Sequence, residues 1–272
     1  MRVSGVDGRK LELYSGVGKV AEGFGELRVT KPRLWSPEQP YLYGLRVDGV
    51  MVGVGIRSFR FDPGNGFYLN GRPLKIQGVC MHHDLGLLGA AVNESAMRRQ
   101  LRKLKEMGCN AIRTAHNPPA PQLLDLCDEM GFMVMDEAFD MWRKKKNKYD
   151  YSLDFQEWGV RDIQDQVRRD RNHPSVILWS IGNEIREQFD SSGISIARRL
   201  AAAVKELDTT RPVTCALTET DTAKNFIYRS GALDVIGINY NQDKYDSVPV
   251  KLAGEGFYRF RNGVEPRDAG PL

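Results

Sequence analysis

The length and composition of the chain indicate a globular protein. It has 272 residues, of which 41% are hydrophobic, so it can bury a sizeable core. The formal net charge is only +4, because 39 basic and 35 acidic residues are spread along the chain. We interpret the basic cluster at residues 143–146 as a solvated loop rather than a nucleic-acid patch, because no aromatic or glycine-rich recognition element accompanies it.

Neither a membrane span nor a disulfide framework is indicated. No apolar stretch approaches the ~20 residues that a membrane helix needs, and the N-terminus shows no signal-peptide pattern. A reducing compartment fits the cysteine usage, although a cytoplasmic and a periplasmic location both stay open. Free buried thiols are favoured over disulfides or a metal site, because the four cysteines stand far apart in or beside apolar runs: Cys80, Cys109, Cys127 and Cys215.

The first 61 residues have the pattern of antiparallel strands. Short alternating segments at residues 11–14, 26–29 and 41–47 are separated by turns rich in glycine and proline, and residues 55–61 form a last strand. Because a sandwich needs about seven strands, residues 1–61 are predicted to be only the C-terminal part of a β-sandwich domain. Residues 62–66, Asp-Pro-Gly-Asn-Gly, are predicted to be a hinge.

After this hinge, apolar strand patterns alternate with helical patterns. The first two long helices are each closed by a glycine, Gly108 and Gly131. Strand followed by helix, with strands apolar on both faces, predicts an α/β fold with a parallel sheet. The predicted strands are 74–80, 110–114, 132–135, 176–180, 213–217 and 235–238, and the predicted helices are 94–107, 121–130, 154–172, 195–207 and 222–230.

Polar residues follow the carboxyl end of each predicted strand. In a TIM barrel these ends converge on one face, where the catalytic groups lie. No glycine-rich phosphate loop follows the first strand, which argues against a nucleotide-binding open sheet. The pattern therefore favours a TIM barrel of which about six strands are present. The polar groups are His82-His83-Asp84, His116-Asn117, Asp136-Glu137, Asn183-Glu184, Glu219 and Asn239-Tyr240.

Two long segments carry a resemblance to a known family. Residues 171–184, Arg-Asn-His-Pro-Ser-Val-Ile-Leu-Trp-Ser-Ile-Gly-Asn-Glu, resemble the acid/base signature of glycoside hydrolase family 2, the β-galactosidase and β-glucuronidase family. Residues 110–118, followed through 127–132 to Asp136-Glu137, resemble its other signature. Residues 34–43 are similar to the end of the immunoglobulin-like domain of that family. The resemblance implies that this sandwich is followed by a TIM-barrel catalytic domain at residues 62–257.

The resemblance implies a retaining mechanism with two carboxylates about 5 Å apart. Glu184 matches the acid/base, which must carry a proton near neutrality. Asn183 matches the residue that hydrogen-bonds the 2-hydroxyl of the sugar. Taken alone, an Asn-Glu pair after a strand is equally compatible with a helix N-cap.

The resemblance also implies roles for other residues. His83 and His116 match positions that contact the sugar, and a core position is the alternative. Arg113 matches an arginine beneath the nucleophile, and Tyr240 a tyrosine that hydrogen-bonds that nucleophile; both could be structural. Asp140 and Trp142 have the form found in family β-galactosidases, where the indole stacks on a sugar; packing within the loop is the alternative for Trp142.

A metal site is the competing chemistry. His82, His83, His116 and Glu137 are the candidate ligands, and we expect His82 to lie in the core or behind the sugar-contacting residues. Nothing in their spacing sets a tetrahedral site, so no cofactor is expected, and a structural or activating cation, as some members of the family bind near the site, is left open but is not indicated.

The nucleophile is not found. In the family it is a glutamate after the seventh barrel strand, but residues 258–264 are too basic and broken for a buried strand. Glu255 lies where that strand should begin, and Glu219 follows the fifth strand, so neither is assigned the role. Removal of one carboxylate of a retaining pair removes the covalent step, so this chain is expected to have little or no hydrolase activity.

Two functions therefore stay open. The first is a retaining β-glycosidase of the β-galactosidase type that acts on a β-linked sugar or oligosaccharide and lacks its nucleophile here. The second is a non-catalytic carbohydrate-binding remnant or subunit that needs a complementing chain. An open barrel exposes strand edges, so association into a homo-oligomer is expected.

A reading-frame shift near Phe257 would explain the missing nucleophile. The codons of residues 258–264, read one nucleotide later, can encode Ile-Ala-Ser-Glu-Thr-Val-Ser, an apolar strand followed by the expected Glu. We therefore interpret residues 258–272 as an out-of-frame or non-native tail. The nucleotide sequence downstream of the Phe257 codon tests this interpretation, and a stop codon or the absence of Glu in the second frame would contradict it.

Overall fold

The computed structural model describes residues 8–244 and the backbone of residues 258–261. The N-terminal region is an antiparallel sheet in the order β2-β1-β3-β4, which confirms the predicted sheet type. Alternating side chains of β1 and β3, among them Leu11, Leu13 and Leu45, are buried on one face. Residues 26–29 are not an extended strand. The strands are β1 (Lys10–Ser15), β2 (Gly18–Phe24), β3 (Tyr43–Val47) and β4 (Val50–Val54).

The segment predicted to be a hinge is the turn of a β-hairpin. Strands β5 (Phe59–Asp62) and β6 (Gly66–Leu69) pair antiparallel across it, and β7 (Arg72–Pro73) completes a three-stranded sheet. The Asp62 carboxylate closes the turn by accepting the backbone N–H groups of residues 64 and 65. Phe67 and Leu69 of this sheet pack against apolar residues of the barrel strands, so the hairpin covers the amino end of the barrel.

The rest of the described chain is the predicted α/β fold. Seven parallel strands run in the order β8 to β14, with helices between the first five, as in part of a TIM barrel. The predicted helix at 222–230 is absent, and only a 3-10 turn (Tyr228–Ser230) forms there. No helix in the described ranges is long and apolar enough to span a membrane. The elements are β8 (Gly78–His82), α1 (Glu94–Glu106), β9 (Ala111–Ala115), α2 (Pro121–Met130), β10 (Met133–Glu137), α3 (Phe155–Asp170), β11 (Val176–Asn183), α4 (Ser192–Leu207), β12 (Val213–Leu217), β13 (Val235–Ile238) and β14 (Tyr258–Arg261).

Strand β14 is an element that the sequence did not predict. Residues 258–261 pair in parallel with β13, in a register that runs from Val235 opposite Tyr258 to Ile238 opposite Arg261. A basic segment can do this because a parallel ladder is made by backbone groups, and Tyr-Arg-Phe-Arg alternates with the period of a strand. Glu255 and the rest of the segment 245–257 lie outside the described residues, as does 262–272. The interpretation of the tail as out of frame stays a prediction.

All four cysteines are free thiols, as predicted, but one of them is not buried. Cys109, Cys127 and Cys215 lie in the core, whereas Cys80 is exposed. It lies on β8, the edge strand of the described sheet, where the Arg113 guanidinium is 3.6 Å from its sulfur.

The segment before the barrel is docked on it by residues of both signature segments. Trp35 is fully buried, and its indole N–H donates to the carbonyl of Asp128 over 2.8 Å. The Asp128 carboxylate accepts Nδ1–H of His173 over 2.6 Å and the backbone N–H of Ser175 over 2.9 Å. Gly131, at a φ of 72°, lies so close to the Pro37 carbonyl that a Cβ there would be 2.4 Å from its oxygen. Part of each signature therefore serves the domain contact.

His173 should make the stability of the fold depend on pH. Burial alone would lower its pKa, but the hydrogen bond and charge of Asp128 raise that pKa above the ordinary 6.5. The ion pair therefore stabilises the protein fully below about pH 6.5, the unfolded value, and this contribution is lost as the pH rises through the higher folded value. In urea unfolding between pH 5 and 9, we expect His173→Gln to flatten this part of the stability profile. An unchanged profile would contradict the role of the pair.

Candidate active site

Polar side chains from β9 to β13 converge at the carboxyl face of the sheet. All but Arg113, which lies in the middle of β9, come from the last residue of a strand or from the loop that follows it, the position at which TIM barrels carry their chemistry. The residues are Arg113, His116, Glu137, Asp140, Asn183, Glu184, Asn239 and Tyr240.

Glu184 follows the last residue of β11 and is held at its backbone and its carboxylate. Its φ is 46°, a left-handed conformation that costs a residue with a side chain free energy. The backbone N–H donates to the Ala216 carbonyl over 2.6 Å, which fixes this conformation from the neighbouring strand β12. The carboxylate oxygen Oε1 accepts the Asn239 amide over 2.9 Å. The half-buried carboxylate is thereby aimed into the carboxyl face.

Asn183 has a buried amide whose orientation is set by its partners. Its oxygen accepts from Arg113 Nη2 over 2.8 Å and from Asn239 Nδ2 over 3.0 Å. Its nitrogen donates one of its two N–H groups to Asp140 Oδ1 over 2.8 Å. Because guanidinium can only donate and carboxylate can only accept, the amide has one satisfactory orientation, and within residues 8–244 its second N–H has no recorded acceptor.

Glu137 and Arg113 form a buried ion pair beneath these two residues. Oε2 of Glu137 accepts from Arg113 Nε over 3.0 Å, from Arg113 Nη2 over 2.9 Å and from the Ser180 hydroxyl over 2.6 Å, while Oε1 accepts Nδ1–H of His116 over 2.6 Å. Burial alone would lower the pKa of Arg113, but the Glu137 charge raises it, so the guanidinium stays charged. Every Glu137 oxygen is occupied, and its side chain is 0% exposed.

The three histidines on this face take different positions. His82 and His116 pack edge to face, with ring centroids 5.3 Å apart. Because Nδ1 of His116 is bound to Glu137, its Nε2 is the nitrogen available to a ligand. His83 Nε2 donates to the Ala90 carbonyl over 2.9 Å and so closes the loop after β8. The structure therefore groups His82, rather than His83, with His116.

The structure contradicts one role implied by the resemblance. Trp142 is 0% exposed, its indole N–H donates to the Ile181 carbonyl over 2.8 Å, and its ring stacks on Phe155 with centroids 6.3 Å apart. Since no face of the indole is open, it cannot stack on a sugar, and packing within the core is its function. Asp140, in the same loop, does reach the site through Asn183.

Tyr240 lies beside the acid/base candidate. It has a φ of 64° and is 73% exposed. The nearby Glu184 carboxylate raises the pKa of the Tyr240 hydroxyl, and burial adds to this rise. Its predicted contact with the nucleophile stays a prediction, because no nucleophile is assigned among the described residues.

Two residues of the site, Ser180 and Lys146, were missed in the sequence. Asn239 and Glu137 were among the polar groups predicted at strand ends, and Glu137 was a candidate metal ligand, but their partners in this network were not predicted. Ser180 lies within β11 and gives no signal. Lys146 was assigned to a solvated cluster, and this was wrong. Its side chain is only 18% exposed because the ammonium binds Asp140 and the Asn183 carbonyl.

A cavity adjoins one side of the site, although Asn183 and Glu184 are not among its lining residues. It has a volume of about 540 Å³, within the size range of small-molecule sites, and opens beside Asp140 and His116. Phe139 and Tyr151, stacked with centroids 5.3 Å apart, line it. Among residues 8–244, no group of three His, Cys, Asp or Glu side chains is placed to hold a metal ion.

Two domain models match the chain. The model "Glycosyl hydrolases family 2, TIM barrel domain" matches residues 63–251, and the model "Glycosyl hydrolases family 2" matches residues 4–52. The larger match covers the α/β region and the smaller one the N-terminal antiparallel sheet.

Similar proteins agree with these matches. Beta-galactosidase BoGH2A of Bacteroides ovatus is 48% identical, over 85% of this chain and 32% of that protein. Beta-glucuronidase of Bacteroides fragilis is 33% identical, over 84% of this chain and 33% of that protein. The crystal structure of a glycosyl hydrolase family 2 member from Bacteroides cellulosilyticus has a TM-score of 0.83 at 39% identity, and the match covers 90% of this chain and 34% of that one. The chain thus spans about a third of the length of these relatives.

Glu137→Gln should destabilise the protein strongly, since it leaves the Arg113 charge buried without its counter-ion. We expect the free energy of unfolding to fall by about 3 kcal/mol at pH 7, measured by urea unfolding. Glu219→Gln is the matched control, because the Glu219 carboxylate accepts a turn N–H from Asp221 that glutamine can also accept. Its effect should stay within about 0.5 kcal/mol. Equal effects of the two substitutions would contradict the importance of the ion pair.

Proposed function

Because the chain belongs to glycoside hydrolase family 2, we propose that it is the acid/base half of a retaining β-glycosidase of the β-galactosidase type. The observation that carries the proposal is the placement of the Glu184 carboxylate and the Asn183 amide at one point of the carboxyl face, each fixed by hydrogen bonds. The β-galactosidase type is favoured because the relative of that name is 48% identical, against 33% for the β-glucuronidase of Bacteroides fragilis.

Each proposed role follows from the chemistry of the side chain. Glu184 protonates the glycosidic oxygen as the bond to the anomeric carbon breaks, and Asn239 and Tyr240 orient its carboxyl group. The free N–H of Asn183 donates to the 2-hydroxyl, a contact that strengthens in the transition state. His116 offers Nε2 to a second sugar hydroxyl.

No described carboxylate is proposed as the nucleophile. Glu137 is enclosed by Arg113, His116 and Ser180, and Glu219 holds a turn. A small external anion should therefore be needed to attack the anomeric carbon in place of the missing group.

The placement of the proposed sugar-contacting side chains also supports a second function, carbohydrate binding without catalysis. The residues proposed to contact sugar, Asn183 and His116, are in place, whereas the nucleophile is not among residues 8–244. A carbohydrate-binding remnant or subunit would then bind galactosides without any turnover.

Azide should reveal the acid/base without a nucleophile. With 4-nitrophenyl or phenyl β-galactoside alone, we expect little or no hydrolysis by the purified chain. With azide, the anion attacks the anomeric carbon, the bond to the leaving oxygen breaks, and Glu184 transfers its proton to that oxygen, giving α-galactosyl azide. Glu184→Gln should lower the azide-dependent rate about 10²-fold or more for phenyl galactoside and less for the nitrophenyl compound, which needs less protonation.

Three other results would change this assignment. Substantial turnover without azide would show that the chain holds its own nucleophile. An azide-dependent rate that Glu184→Gln leaves unchanged would refute the acid/base role, with Glu219→Gln as the control. Galactoside binding without azide-dependent turnover would favour the carbohydrate-binding function.

A further inference from the structure

Lys146 stands apart from the basic residues beside it. Arg143, Lys144 and Lys145 are exposed, whereas the Lys146 side chain turns inward and is 18% exposed. Its ammonium donates to Asp140 Oδ1 over 2.7 Å and to the main-chain carbonyl of Asn183 over 3.0 Å. A single cation thus joins the loop after β10 to the end of β11.

The Asn183 carbonyl belongs to the peptide bond that leads into Glu184. One end of this peptide is bound by the Lys146 ammonium, and the other end, the Glu184 N–H, is bound by the Ala216 carbonyl. The next torsion along the chain is the positive φ of Glu184. A left-handed conformation at a residue with a side chain costs about 1–3 kcal/mol and persists only where its surroundings enforce it. Lys146 supplies one of the two contacts that hold this peptide plane.

The second contact of Lys146 acts on the side chain of Asn183. Asp140 Oδ1 accepts both the Lys146 ammonium and the Asn183 amide. Burial alone would raise the pKa of Asp140, but the hydrogen bonds from Lys146 and Asn183 lower it, so Asp140 stays an ionised acceptor. An ionised Asp140 keeps the Asn183 nitrogen turned toward itself.

The loop that carries Lys146 is itself anchored. The Asp150 carboxylate accepts the backbone N–H groups of Lys146 and Asn147 over 2.7 and 2.8 Å, and the Ser152 hydroxyl over 2.5 Å. Burial opposes the charge, but these hydrogen bonds lower the pKa of Asp150 to about 2. The backbone of Lys146 is therefore held in place, and its side chain extends from this anchored position into the site. An exposed ion pair on an unanchored loop would stabilise such an arrangement very little.

We propose that Lys146 is a positioning residue for the reaction: its ammonium fixes the peptide between Asn183 and Glu184 and, through Asp140, the direction of the Asn183 amide. The inference rests on the proposed function, since it is the acid/base and the 2-hydroxyl contact that are positioned. Lys146 itself is not proposed to contact the sugar. It acts through Asn183 and Glu184, which are.

Nuclear magnetic resonance on the whole chain tests the positioning directly, without a substrate. Lys146→Met keeps the aliphatic stem and removes the charge, and Lys145→Met removes the same charge from the exposed neighbour. In Lys146→Met we expect the pKa of the Asp140 carboxyl, followed by its ¹³C signal, to rise by about one unit or more, and the side-chain amide signals of Asn183 to move and broaden. Lys145→Met should leave both as they are in the wild type.

Two further measurements make the result decisive. If Lys146→Met does not fold, as judged by its melting temperature, Lys146→Arg is used instead. Arginine keeps the charge but cannot place a point donor on both oxygens, so the Asn183 signals should still move while the Asp140 pKa stays low. Asn183 and Asp140 signals that match the wild type in the folded variants would overturn the proposal.

Galactose binding separates this inference from the proposed function. By isothermal titration, the affinity of the chain for galactose should fall about tenfold in Lys146→Met, which corresponds to the loss of one well-oriented hydrogen bond, and stay unchanged in Lys145→Met. A wild-type chain that binds no galactose would count against the proposed function, while the Asn183 and Asp140 signals would still decide the role of Lys146. An affinity unchanged in Lys146→Met would overturn the positioning role.

Discussion

A buried ion pair between Arg113 and Glu137 is the contact on which the candidate site depends. The two side chains come from neighbouring strands, β9 and β10, and little water can replace either partner. Because Arg113 also donates to the Asn183 oxygen, the pair fixes the amide at the end of β11 and links three successive strands. Glu184 and Asn239 are then placed relative to that amide. The charges lie beneath the site and give it a fixed geometry.

The two signature segments each connect the site with the rest of the molecule. Asn183 and Glu184 lie at one end of the 171–184 segment, whereas His173 at its other end binds Asp128 and so supports the contact with Trp35. A barrel strand crosses the whole core, so its carboxyl end carries chemistry and its amino end carries packing. A signature segment of this kind therefore contains residues for catalysis at one end and residues for packing at the other.

The α/β part of the fold could be predicted because buried strands and amphipathic helices leave periodic patterns that local sequence shows. Strand β12 and helix α2 have the predicted bounds, and the glycine after α2 closes it in the left-handed conformation. The helix expected at 222–230 failed because its polar residues bind locally: Asn225 accepts backbone N–H groups from residues 227 and 228 and supports a turn instead. Strand β14 was missed because backbone pairing with β13 does not need an apolar sequence.

The sequence by itself determined the family, the order of strands and helices, and the strand ends at which Asn183, Glu184 and Glu137 stand, because these features follow from local periodicity and from long motifs. Only the tertiary structure decided which side chains face the site. Trp142 was turned into the core and Lys146 into the site, although both belong to the same loop after β10. The physical reason is that a loop side chain points toward whichever partners the fold brings near it. Here these were the carbonyl of Ile181 for the indole and the carbonyl of Asn183 for the ammonium, and contacts with residues distant in sequence leave no periodic trace in the chain.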